Sequence, residues 1–267
     1  MFKKLLASMG AGSAQVDTRL VNDRVVPGGT LRGEVHITGG DVPQEIEEVS
    51  LFLMTQVEVE SGDSEYKQNF VISRAPLARD FRVGEKERLS IPFEMYVHLE
   101  TPVTALSPQG GSSSKLSYTH SRPHHGRGAK VWLDTGLEID NGVDSTDRDA
   151  LIVEPTPPMQ RILSALEQLG FRMVSADVEK GTLRGKGFQS TAGFYQEIEF
   201  RPQHGSYASR INELELSFVP RVQDTGVLIE VDRRFSSRDS YRSLLMNHGN
   251  FERVDWVREL SALLGSI

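Results

Sequence analysis

At 267 residues, with 38% hydrophobic and 25% charged residues, the chain has the composition of a globular protein rather than a disordered one, and at ~150 residues per domain it suggests two domains. The absence of cysteine excludes disulfides, a thiol nucleophile and cysteine-ligated zinc. A net charge of −7 opposes the basic footprint that a nucleic-acid binder needs, and no apolar run approaches the ~18 residues of a membrane helix.

In chain order, Phe2, Leu5, Leu6 and Met9 fall at helical spacing beside Lys3 and Lys4. A helix this short is marginal alone, so a turn or two packed on the body is expected, with a membrane-surface anchor as the alternative. The basic pair is followed by only a short apolar patch before Gly10 and Gly12. That is not a secretory leader, and a cytoplasmic protein is expected.

From residue 14 the period changes to two. Val16, Thr18 and Leu20 alternate with Asp17 and Arg19; Leu31, Gly33, Val35 and Ile37 alternate with Arg32, Glu34 and His36; Gly39-Gly40 closes that strand. Val49, Leu51, Leu53, Thr55 and Val57 share one face of a strand over 48–59, and strands follow over 66–74 and 88–96. Pro92 places the last of these at an edge or a bulge. Residues 107–128 break the pattern with a Gly/Ser run and the segment Arg122-Pro123-His124-His125-Gly126-Arg127-Gly128, a flexible insertion. Strand writing returns at 130–139 and at 150–153.

Glu154-Pro155-Thr156-Pro157-Pro158 is a stiff joint. Thr156 suits an N-cap and Pro157 the first helical position; Met159, Ile162, Leu163, Leu166 and Leu169 then share a helical face, and Gly170 stops the helix. Beyond it Val174, Ala176 and Val178 alternate, as do segments 197–202 and 213–218, whose charges are expected to face water; 227–231 is a more buried strand. Phe251, Val254, Val257, Leu260 and Leu264 mark an amphipathic C-terminal helix that either packs on its own domain or mediates homodimerisation.

Candidate chemistry is sparse. Gly181 to Gly187 looks like a phosphate loop, but the spacing is one residue short, no hydroxyl follows Lys186 and no helix signal follows, so a β-turn is expected. Ser112-Ser113-Ser114-Lys115 fits Ser-x-x-Lys, yet no helix holds the lysine against the serine. His120 and His124 have the i, i+4 spacing of zinc ligands, with His125 beside them. Pro123 and Gly126 oppose a helix there, so the three are weak metal candidates in a solvated loop. Asp140, Asp144, Asp147 and Asp149 miss the calcium-loop pattern because Gly142 falls third, and a turn at Asn141-Gly142 is expected instead.

Segments 16–20 and 25–35 resemble the opening strand pair of arrestin-like proteins. More narrowly, residues 2–8 with 12–14, Lys130 to Ile139 running on to Asp149, Pro155-Thr156-Pro157 with Leu166 to Arg172, Glu213-Leu214-Glu215, and Glu230 to Arg234 together resemble the bacterial sporulation-control (SpoOM-type) family. The insertion at 107–128 departs from the family pattern. The resemblance implies a mainly β chain of two tandem arrestin-like antiparallel β-sandwiches, with no known catalytic centre and a regulatory role linked in spore formers to sporulation onset and stress response.

The chain is therefore expected to comprise an N-terminal sandwich over 1–154, carrying the flexible insertion 107–128, and a linker helix, C-terminal sandwich and C-terminal helix over 155–267. The expected function is that of a non-enzymatic cytosolic scaffold or adaptor acting through protein–protein interaction, without cofactor, nucleic acid or membrane. The alternative is a metal-dependent or carbohydrate-active hydrolase on the same scaffold, with convergent carboxylates or histidines.

Overall fold

The computed structural model describes residues 12–61, 64–106, 128–234 and 239–265. The protein is mainly β, and no helix among the described residues is long and apolar enough to cross a membrane. It divides into two compact units: Met1–Thr55 with Asn69–His98 and Lys130–Ile152, and Gln56–Gln68 with Leu99–Ala129 and Val153–Ile267.

The first unit is built on β1 (Gln15–Leu20), β2 (Arg24–Val25), β3 (Thr30–Thr38), β4 (Gln44–Ser61), β5 (Ser64–Val83), β6 (Arg88–Tyr96), β7 (Val131–Ile139) and β8 (Ser145–Ala150), with β9 (Ile152–Val153) at its end. β1, β3 and β6 form one antiparallel sheet in that order, so the proline-bearing β6 stands at an edge, where a missing N–H costs no ladder bond. β4 pairs with β7, β7 with β8, and β5 also with β4. The two-residue period sorts the side chains: Leu31, Val35 and Ile37 on β3, Val49, Leu51 and Leu53 on β4, and Leu133 and Leu137 on β7 are all buried. The sheets meet where β1 lies against β7 and β8. There the Thr18 and Thr135 hydroxyls are 2.6 Å apart, and Thr18 N–H donates to Asp147 Oδ2 at 2.7 Å. Asn141 (φ 51°) takes the left-handed conformation that the β7–β8 turn requires, as Asn readily does.

In the second unit α1 (Pro157–Gln168) precedes β10 (Phe171–Lys180). Next come the short β11 (Arg184–Gly185) and β12 (Phe188–Gln189), then β13 (Phe194–Pro202) and the single turn α2 (Gly205–Ala208). The unit closes with β14 (Ile211–Pro220), β15 (Asp224–Arg233), β16 (Ser240–Asn247), a 3-10 turn over Phe251–Arg253 and α3 (Trp256–Gly265). The sheet order is β16-β15-β14-β13-β10, with antiparallel neighbours throughout. The far end of β4 joins β10 in parallel at Glu58 and Glu179. One sheet face is apolar: Ala176, Ile198, Leu216 and Ile229 align across four strands, and Ile162, Leu166, Leu260 and Leu264 of α1 and α3 pack into the same core. Residues 99–106 belong to this unit as well. Gln196 exchanges two 2.8 Å bonds with the Val103 backbone, and Glu100 accepts the N–H groups of Thr191 and Ala192.

The helices differ from the sequence expectation in detail. Thr156 is the N-cap of α1 by position, but its hydroxyl makes no capping bond; Pro157, which needs no donor partner, opens the helix regardless. Gly170 ends it with φ +86° and donates its N–H to Glu167. The C-terminal apolar stripe is not one helix from residue 251. Val254 is extended (φ −88°, ψ 134°), and Asp255 Oδ1 accepts Arg258 N–H at 3.1 Å, so the helix restarts at Trp256.

Candidate functional site

The face of the second sheet opposite the helices carries the main concentration of ionisable groups. Register places them: Ser175, Glu199, Glu215, Glu230 and Tyr241 form one row across five strands, and Asp177 lies beside Glu197 in the next. Each position alternates with a core residue, so apolar packing on one side fixes where every carboxylate points on the other. One end of this face is covered by the β11–β12 hairpin, whose Leu183 and Phe188 pack with Val219 against Tyr195 and Leu228.

Next to Tyr195, which pairs with Glu179, the carboxylates Asp177, Glu179 and Glu197 are half-buried, and their ligand oxygens lie within 4.8 Å of one another. The β4–β5 hairpin adds Glu58, Glu65 and Lys67, with Lys67 Nζ 2.5 Å from Glu58 Oε1. Burial disfavours charge here, and like charges opposite one another in a sheet add to the cost. Burial first, then Glu215 and Asp177, pushes Glu197 up to about 8. Burial first, then Asp177 and Glu58, lifts Glu179 to about 7. Burial with Glu230 and Glu213 lifts Glu215 to about 7, and burial with Glu58 and Glu199 lifts Asp177 to about 6. The Glu230 carboxylate accepts a hydrogen bond from the Tyr241 phenol, which raises Tyr241 to about 12.

Chemically the cluster offers oxygen donors alone, the set suited to a hard cation, an ammonium or a guanidinium. Neither of two larger surface grooves is lined by it. A groove of about 410 Å3 lies between α1 and the 251–257 segment, and one of about 540 Å3 lies over Phe52, Met54, Gly136 and Arg148 in the first unit. In the latter, Arg148 pairs with Asp134 at 2.6 and 2.9 Å and stacks 4.8 Å over the Trp132 ring.

Of the residues singled out from sequence, His120, His124, His125 and Ser112 to Lys115 lie outside the described residues, as do residues 2–9. The segment from Gly181 to Gly187 is no phosphate loop: Arg184–Gly185 and Phe188–Gln189 pair as a tight hairpin, with Gly187 at φ +87°. The acidic stretch 140–149 is only partly a turn. Asp144 accepts Ile139 N–H, Asp147 accepts Thr18 N–H, and β8 pairs in register with β7, whereas Asp149 Oδ2 is buried without a hydrogen-bond partner among the described residues, and burial with Asp147 and Asp17 pushes that carboxyl up to about 6. Sequence reasoning missed the carboxylate cluster. Its signal was the shared parity of acids on successive strands (Asp177 and Glu179; Glu197 and Glu199; Glu213 and Glu215), which becomes a cluster only once the register is known.

A family described as SpoOM protein matches residues 2–235. The sporulation-control protein spo0M of Bacillus subtilis (strain 168) is 33% identical over 248 residues, which cover 93% of this chain and 86% of that one. The crystal structure of Spo0M from Bacillus subtilis superposes with a TM-score of 0.79 at 27% identity, covering 96% of this chain and 99% of the other.

Proposed function

This chain belongs to the SpoOM protein family, and from that premise we propose that it is a cytoplasmic regulatory protein that acts by binding other proteins rather than by catalysis. The observation that carries the reading is the match to a sporulation-control protein over nearly the whole length of both chains. A shared fold alone does not transmit function; here the likeness extends to 33% identity along that length.

The physical setting supports binding. Enzyme sites concentrate perturbed groups in a concave pocket that excludes water. Here the shifted carboxylates lie on a sheet face beside a hairpin, and the two larger grooves are lined by other residues. The hydrolase alternative gains no support from the groove linings or from the relatives. Protonation lets this face hold its carboxylates together with less repulsion than their number implies, and a basic partner segment would supply the same relief.

The test is in-cell crosslinking followed by recovery of the full chain under growth and starvation conditions, with a Glu197→Gln/Glu215→Gln variant in parallel. Specific protein partners are expected. Failure to recover any in every condition counts against an adaptor. Loss of a partner from the variant places the contact on the acidic face, whereas its retention moves the contact to another surface.

A further inference from the structure

We propose that β16 is a self-association edge, pairing antiparallel with β16 of a second copy about a two-fold axis near Leu244. The strand ends the order β16-β15-β14-β13-β10, so one side of it has no strand neighbour among the described residues. An open edge is a template for another strand, and proteins guard such edges with proline, charge or bulges. Other outer strands are guarded in these ways. β6 carries Pro92 with Arg88 and Glu94. β5 carries Pro76 with Arg74, Arg79 and Arg82, and a left-handed Asp80 (φ 52°). β8 reads Asp147-Arg148-Asp149, and its Ser145 and Asp147 side chains are bonded to β1.

β16 has fewer of these devices. Its sequence, Ser-Tyr-Arg-Ser-Leu-Leu-Met-Asn, holds no proline and one charge, and its register with β15 is unbroken over eight pairs. Tyr241 and Leu245 are 57% and 44% exposed, large apolar groups left beside an open edge.

Charge selects the occupant's register. Centring the two-fold on Arg242 would set two guanidinium groups opposite each other, which is unfavourable in a sheet. Centring it on Leu244 opposes Arg242 with Met246 and Ser243 with Leu245, and moves the two arginines four residues apart. At ~3.3 Å per residue that is about 13 Å, beyond the ~8 Å screening length at physiological salt. This register also keeps the helix-covered faces of both copies on one side, joining the sheets of the two copies edge to edge through β16. Two eight-residue strands make an interface smaller than the ~1,200 Å2 of a standard one, so a weak dimer is expected.

The experiment is sedimentation of the full chain from about 1 to about 300 µM, with amide hydrogen exchange at both ends of that range. The expected results are a mass that rises toward a dimer, slower exchange across residues 240–247 at high concentration, and a dissociation constant raised at least ~10-fold by Leu245→Lys. Tyr96→Lys on β6 should leave the association unchanged. A monomer throughout, a dimer whose 240–247 amides exchange at one rate at both concentrations, or a dimer that folded Leu245→Lys leaves intact would overturn the proposal. Should Leu245→Lys fail to fold, the exchange of the unaltered chain decides it. This outcome is independent of the adaptor reading, which concerns other proteins.

Discussion

Glu197 and Glu48 show one residue type set to opposite ends of its range by sheet position. Glu48 in β4 is buried, yet Ser50 donates to it and Arg74 and Arg79 pair with it, Arg79 Nη2 at 2.6 Å; these hold its carboxyl below the usual range. Among the described residues Glu197 gains no such cation, and it is pushed up to about 8 by burial and by its carboxylate neighbours. The linkage signs therefore differ. The folded state holds a proton on Glu197 that the unfolded chain releases above the ordinary value of 4.5, so this residue's contribution is full below that value and is lost as pH rises to about 8. Glu48 contributes above its ordinary value, and that contribution is lost as pH falls through its depressed one. Glu197→Gln is expected to stabilise the protein by about 1–2 kcal/mol at pH 8, after discounting for a face that keeps contact with solvent, and to change little at pH 4. Glu48→Gln is expected to destabilise at pH 7 by stranding two guanidinium groups, and to be near neutral at low pH. Denaturant unfolding of both variants at each pH checks the signs.

Among the elements, the β11–β12 hairpin is held by close approach as well as by the burial of Leu183 and Phe188. Phe188 lies where β15 offers Gly226, and a Cβ there would come within 2.4 Å of the Phe188 ring. Gly226→Ala should lift the hairpin off, costing about 1–3 kcal/mol and raising the amide exchange of residues 183–190, while the helix-covered core stays folded. This contact was not legible in the sequence, where the segment from Gly181 to Gly187 showed only a turn. Much else was legible. Val49, Leu51, Leu53, Thr55 and Val57 share one face, because apolar alternation reports burial directly. Pro92 marked an edge because a missing donor has few places to go. Helix α1 was readable from Pro157 to Gly170 because its start, stripe and stop agree. The C-terminal stripe misled, since spacing alone does not register the extended Val254 that interrupts it. The carboxylate cluster needed cross-strand register, a long-range property set by bulges such as that between Met173 and Ser175.

At the scale of the whole molecule, the chain passes between its units several times. The second unit takes in Gln56–Gln68 and Leu99–Ala129 in addition to everything after Ile152. Its β13 and the segment leading into it therefore depend on residues far upstream, through Gln196 with Val103 and through Thr191 and Ala192 with Glu100. A fragment of residues 153–267 should accordingly show faster amide exchange at 191–196 and lower resistance to denaturant than the same residues in the full chain. The interleaving also sets a clock during synthesis. The β4–β5 tip emerges about a hundred residues before β10, its partner, is complete. At ~5–20 residues per second the nascent hairpin waits on the order of ten seconds with that partner still untranslated. Glu58, Glu60, Glu65 and Lys67 crowd that tip with charge, so during that wait the hairpin presents charged side chains, the feature that blunts an open strand edge.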